Sequence, residues 1–399
     1  MIRRHGNRWQ VTVYAGTDPV TGRERRVRRS VPASPGQRRP PKEARELEAR
    51  LLLEVGAGDH RDTRMTLSEL LDRWMEHAGP DLSPSTALNY RRYIARSIAP
   101  RLGHVRLDKL TTAMLDRLYR ELRKSGGRHG QPLAPATVRQ VHAVIRRALA
   151  QAQRWGWINR NPAALASPPK LVRHEMRPPS PEAVARILAE AESEGAPTVL
   201  AIRLAALTGA RRGEVCGLRW SDVDLDDGSL VIRRSVVELE DALIVKDPKT
   251  HQIRRVALDD ATVALLRVRR TAQAEMALKI GIALDDEAYS CSEHPAGNEP
   301  LLPGLLSDRF RRIVRRLAIP WCRLHDLRHW HVTQALGAGL PVRDVAERVG
   351  HASARMTLDV YGHAIANADR KAAEVVADVL RAAMNDADLP RAEPRRRRR

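Results

Sequence analysis

Residues 208–224 read TGARRGEVCGLRWSDVD, from Thr208 to Asp224, and what flanks them decides the fold. Upstream, Glu182–Glu194 and Thr198–Leu207 have helical patterning, and Arg212–Leu218 continues it beyond the Thr-Gly turn. Downstream, Leu230–Glu238, Ala242–Val245 and Ile253–Leu258 are strand-like and predict a three-stranded meander. Helical runs resume at Ala261–Ile280, Leu305–Leu317, Asp326–Ala338, Val342–Val349, Thr357–Ala364 and Ala368–Met384. Residues 182–385 are therefore expected to form one α+β domain. The tail 386–399 ends in five arginines, whose mutual repulsion predicts disorder.

Further outward, residues 166–181 (ASPPKLVRHEMRPPSP) hold five prolines and no periodic pattern, so they read as a linker. Residues 65–165 read as helical throughout. Thr66 followed by Glu69 is a capping-box signal, and later helices fit up to Ile98, at Leu107–Leu122 and at Pro135–Trp155. Residues 1–60 suggest a small sheet plus a helix. Arg8–Tyr14 alternates like a strand, Asp18–Gly22 has turn chemistry, Arg23–Val31 returns, and Pro41–Val55 fits a helix. The expected fold class is mainly α with small antiparallel β-sheets (α+β).

Charge is the strongest bulk signal. The chain of 399 residues has a formal net charge of +21, with 69 lysines and arginines. Only eight of these are lysine, which fits a GC-rich bacterial genome, but codon bias does not create a surplus of positive charge. A polyanionic partner follows, and nucleic acid is the commonest. Arg25, Arg26 and Arg28 in the N-terminal module, and Arg91, Arg92, Arg139 and Arg146 in the helical one, are the DNA-contact candidates. No apolar run is long enough for a membrane helix, and the basic N-terminus lacks the apolar stretch of an export signal. Cys216, Cys291 and Cys322 are too few and too scattered for a disulfide framework or a zinc cluster. A reducing bacterial cytoplasm, with the protein on the nucleoid, is the expected location.

The chemistry concentrates after residue 200. Besides 208–224, three segments stand out: Asp247-Pro248-Lys249-Thr250, His325-Asp326-Leu327-Arg328-His329, and Gly350-His351 followed by Thr357-Leu358-Asp359-Val360-Tyr361-Gly362-His363. Cutting a phosphodiester without metal needs a nucleophile, cations for the charge of a pentavalent phosphorane, and an acid for the leaving oxygen. The planar fork of arginine suits two nonbridging oxygens, and these segments supply several arginines, Arg211 and Arg328 among them. His325 stands three residues before Arg328 and shares its helix face. A zinc reading of His325, His329 and His331 lacks a Glu or Cys to complete the set, so neither metal nor cofactor is expected.

In order and separation these four segments resemble the tyrosine recombinases, the phage-type integrases, and the upstream modules are similar to their arm-binding and core-binding domains. The resemblance implies a site-specific recombinase that integrates, and in some settings excises, a phage or integrative plasmid. It implies Tyr361 as nucleophile, forming a 3′-phosphotyrosine; Arg211 and Arg328 as the clamp; His325 and His351 as assistants; and Lys249 as the acid, with Lys246 the second choice. It further implies four protomers exchanging strands through a Holliday junction on two double-stranded attachment sites. An excision factor or a host DNA-bending protein would be a further partner. Glu214 is expected to orient Arg211. Trp330 departs from the small residue usual after that histidine box. Two rivals remain, a type IB topoisomerase and an inactive DNA-binding regulator.

Overall fold

The computed structural model describes the chain apart from residues 18–23, 35, 38, 57–64, 172–177, 241, 248–252, 362–367 and 388–399. It divides into two units, Met1–Arg173 and His174–Arg399. The expected turn at Asp18–Gly22 and the arginine tail from 388 onward lie outside the described residues.

The first unit opens with strands β1 (Ile2–His5), β2 (Arg8–Thr17) and β3 (Glu24–Pro32), an antiparallel sheet in that order. Strand β1 was not anticipated; its four residues are too short to show a pattern. Alternation sends Trp9, Val11, Val13 and Val27 to one face, where they meet Ala44 and Leu51 of helix α1 (Lys42–Gly56). The other face pairs Tyr14 with Arg26 and Thr12 with Arg28.

Helix α2 (Leu67–Ala78) begins with the expected box: Glu69 N donates to Thr66 Oγ1 at 3.3 Å, and Thr66 N to Glu69 Oε2 at 2.7 Å. Helix α3 (Pro84–Tyr93) widens into a π-turn at Ile94–Ile98 before α4 (Ala99–Leu102). Pro100 has no N–H to give the preceding turn, and Arg101 Nη1 reaches back to the carbonyls of Arg96 and Ser97 at 3.1 and 3.3 Å. Helices α5 (Thr112–Ser125) and α6 (Pro135–Arg154) complete this layer. Their apolar faces form its core around Leu115, Leu118, Val141 and Ile145. The first residues of the expected linker are anchored here. Ser167 N donates to Asp116 Oδ1 at 2.8 Å, and Arg139 Nη1 to the Pro169 carbonyl at 3.3 Å.

The second unit is built around α8 (Ala196–Thr208), which follows α7 (Pro181–Glu190). Helix α8 is apolar on nearly all sides and correspondingly buried. The short α9 (Arg212–Cys216) follows. Strands β4 (Val223–Asp224), β5 (Ser229–Ile232), β6 (Ser235–Glu238), β7 (Leu243–Lys246) and β8 (Arg254–Ala257) do not form one meander. They form two sheets, β4-β5-β8 and the hairpin β6-β7. The expected strand Leu230–Glu238 breaks at Arg233 and Arg234, whose guanidinium groups pair with the buried Asp222 at 2.8 and 3.3 Å. Helices α10 (Asp260–Lys279), α11 (Pro303–Arg316), α12 (Leu324–Gly337), α13 (Val342–Val349), α14 (Ala354–Tyr361) and α15 (Ala368–Ala387) complete the chain. Phe310, Trp220 and Leu327 lie in the shared core, with Trp330 packed against it. The Trp330 indole is therefore a packing group, and its Nε1 has no hydrogen-bond partner among the described residues.

Candidate active site

The turn after α8 sets up the site. Thr208 Oγ1 donates to the Leu204 carbonyl at 2.6 Å and accepts from Ala210 N at 3.2 Å, while Gly209 takes a left-handed conformation with φ 64°. This delivers Arg211 to the start of α9. There its backbone N–H and Nη1 donate to the two carboxylate oxygens of Glu214 at 2.9 and 2.8 Å. Arg211 Nη2 donates to the Gly350 carbonyl at 2.8 Å. Arg328, 3% exposed on α12, sends Nη1 to the carbonyls of Gly209 and Val349, both at 2.6 Å.

Arg254, on β8, donates from Nε to the Arg348 carbonyl at 2.9 Å. Three successive carbonyls at the C-terminal end of α13 (residues 348, 349 and 350) therefore accept from three different arginines. A helix leaves its last carbonyls without intrahelical partners and with the negative end of its dipole, so cations satisfy them twice over. The chain then passes directly into His351, whose Nδ1 lies 2.7 Å from Thr357 Oγ1 of α14.

The histidines share this electrostatic environment. His351 is held down to about 4 by burial, then by the positive charges of Arg328 and Arg211. His325 reaches solvent, yet the protein packed behind it, followed by Arg328, holds it below the usual imidazole range. Its ring meets that of His329 edge-on, with centroids 4.7 Å apart. Beside His325 opens a cavity of about 550 Å³, lined among others by Arg212, Ser307, Phe310 and Arg323. Both shifts, of His325 and of His351, favour the neutral imidazole.

Of the residues singled out from sequence, Arg211, Arg328 and His351 meet around the end of α13. His325 is on the α12 face that supplies Arg328. Tyr361 ends α14, and its side chain lies outside the described residues, as do that of Arg25 and the whole of Lys249. Lys246 ends β7 opposite Ser235. Arg26, Arg28, Arg91, Arg139 and Arg146 are exposed, Arg26 paired with Glu24 at 2.7 Å, and Arg92 is half-buried. The other tyrosines whose side chains are described have structural settings or lie in the first unit. Tyr289 is buried under Arg219, Tyr119 is bonded to His142 at 2.8 Å, and Tyr90 packs with Arg147.

Sequence reasoning missed Arg254 and Arg348, and weighed His331 only within the rejected zinc reading. Arg254 and Val256 occupy the inward phase of β8, and an arginine in that phase was the available signal. Arg348 Nε donates to His331 Nε2 at 3.2 Å, while its Nη2 donates to the carbonyls of Leu207 and Ala257 at 3.3 and 3.0 Å. That bonding assigns the His331 proton to Nδ1, which lies 3.2 Å from the Ala206 carbonyl. Among the described residues no group of three or more His, Cys, Asp or Glu is arranged to hold a metal ion.

Comparison with known proteins places this arrangement. Residues 180–367 match the phage integrase family, and residues 66–123 match the phage integrase N-terminal SAM-like domain. The ICEBs1 integrase of Bacillus subtilis is 26% identical over 374 residues, 93% of this chain and 97% of that protein. The Tn1549 transposon integrase, solved with transposon right end DNA, superposes with a TM-score of 0.64 at 19% identity, covering 78% of this chain and 100% of that one. A lambda integrase tetramer bound to a Holliday junction gives 0.56 at 20% identity, covering 89% and 93%. With both family models together spanning more than half of its length, the chain belongs to the phage integrase family and is a tyrosine-type site-specific recombinase.

Proposed function

We propose that this recombinase integrates a mobile element by cutting and rejoining DNA through Tyr361. The Tyr361 oxygen attacks the scissile phosphorus, a 3′-phosphotyrosine forms, and the departing 5′ oxygen takes a proton from Lys249. Arg211 and Arg328 neutralise the nonbridging oxygens as charge builds. His325 assists in removing the phenol proton, and His351 donates a hydrogen bond to the phosphate. A 5′ hydroxyl from a partner strand then attacks the phosphotyrosine and expels the phenolate, so one phosphodiester replaces another and the exchange needs neither ATP nor metal. The observation that carries this reading is the convergence of Arg211, Arg328 and His351 on one helix end.

Four protomers on two attachment sites, exchanging strands through a Holliday junction, fit the lambda integrase tetramer. The exposed face of the N-terminal sheet, with Thr12, Tyr14, Arg26 and Arg28 adjacent across two strands, suits a second, separate DNA segment. The residues from 65 to 165 would grip the core site, an excision factor or host bending protein would assist, and binding would weaken steeply with salt.

The test is to incubate the full chain with nicked duplexes tiled across the DNA flanking its gene. The readout is a protein–DNA adduct that survives SDS. An adduct with one duplex, lost in Tyr361→Phe, supports the assignment. Salt-sensitive binding without any adduct would favour a regulator, and relaxation of supercoils by the monomer would favour a topoisomerase.

A further inference from the structure

Glu214 creates an electrostatic difficulty for the arginine beside it. Its side chain is fully buried and only 2.8 Å from Arg211 Nη1. A bare carboxylate there would cancel the charge of Arg211 and repel an incoming phosphate at short range, where a low dielectric leaves such forces poorly screened. The same carboxylate also meets Arg254, whose Nη2 donates to Oε2 at 2.6 Å and whose Nη1 approaches Oε1 at 3.4 Å. Arg254 is itself 8% exposed. Its guanidinium lies directly beneath Gly350, where an added Cβ would fall 2.8 Å from Nη1.

From this geometry we infer that Arg254 is a positioning residue for strand cleavage, the counter-ion that lets Glu214 hold Arg211 in place without consuming its charge. The inference rests on Arg211 clamping the scissile phosphate, as proposed above. Arg254 is sealed beneath Glu214 and the Gly350 turn, so it acts through these neighbours. One cation balances the carboxylate and the other remains available to DNA. Burial pushes the Glu214 carboxyl up, but the hydrogen bond and charge of Arg254, and then the bonds from Arg211, bring it below the usual range. Through the Arg348 carbonyl, Arg254 also fixes the helix end whose next two carbonyls hold Arg328 and Arg211.

The experiment measures the single-turnover rate of adduct formation by the full chain on the nicked duplexes tiled across its gene's flanks, together with duplex affinity. Arg254→Met should slow cleavage roughly tenfold to a hundredfold while affinity stays within about threefold. Adding Glu214→Gln, which removes the unbalanced charge but keeps an acceptor for Arg211, should recover about tenfold of that loss. A purely structural arginine would give no such rescue. If Arg254→Met does not fold, Glu214→Gln and the double variant carry the comparison, and their rates should agree within about threefold. Cleavage by Arg254→Met at the unsubstituted rate, absence of rescue, or a double variant tenfold slower than Glu214→Gln would overturn the inference. No adduct even from the unsubstituted chain would overturn the phosphotyrosine reading and this inference with it, whereas an adduct from Arg211→Ala at full rate would refute the clamp on which the inference rests.

Discussion

Gly209 and Val349 are in contact across the candidate site: a Cβ built on Gly209 would fall 2.8 Å from Val349 Cγ1. The glycine ends α8 and the valine ends α13, so their approach brings the Arg211 turn against the Gly350 carbonyl that Arg211 uses. Gly209 also has φ 64°, a conformation that costs an alanine about 1–2 kcal/mol. Gly209→Ala should therefore destabilise the second unit by about 2–4 kcal/mol, strain and clash together. Urea unfolding followed by Trp220 and Trp330 fluorescence would measure this, and a loss under 1 kcal/mol would mean that the two helix ends can part freely.

His331 gives a pH-dependent stability. Burial, and then the charge of Arg348, hold it down to about 4 against an ordinary value of 6.5. Its folded pKa is depressed, so its contribution is complete above pH 6.5 and is lost as pH falls toward 4, where the unfolded chain takes the proton first. The amount is on the order of 3 kcal/mol. The urea midpoint of the unsubstituted chain should drop between pH 6.5 and 4.5, and His331→Gln should drop less steeply. Parallel curves for the two proteins would refute this.

Thr66→Ala removes one half of the α2 capping box and should cost the helical layer about 1 kcal/mol. Hydrogen exchange at the first α2 amides should accelerate about fivefold, with no change at the amides of α8.

Arg28→Ala should lower the slope of log affinity against log salt by about 1, if the exposed sheet face contacts phosphates. Arg26→Ala should do less, because Glu24 already pairs with it. Titrations of any duplex that the full chain binds, at several salt concentrations, would show the difference.

The fold was legible wherever a long periodic run met a clear stop. The Thr66 and Glu69 box, the run through Val138, Val141 and Ile145, and the apolar α8 each gave a helix near its observed bounds. The β region was misread because the partner that breaks it, Asp222, is remote from any strand pattern; Arg233 and Arg234 turn toward it and divide the ladder. At the candidate site, Arg211, His325, Arg328 and His351 could be named as candidates because each lies in a short segment that resembles a family motif. Arg254 and the Arg348–His331 pair lie outside those segments, and only the fold brings them to their carbonyl and carboxylate partners.

That three arginines use main-chain carbonyls has a consequence for how this protein tolerates change. A side-chain acceptor can be deleted by a single codon, but the oxygens of residues 348, 349 and 350 belong to every amino acid. Sequence drift at Val349 can alter packing without removing the acceptor it offers to Arg328. What can misplace these oxygens is a change in chain path, such as a proline within α13, an insertion before His351, or loss of the left-handed turn at Gly350. Variation along this helix should therefore be permissive for residue type and strict for length.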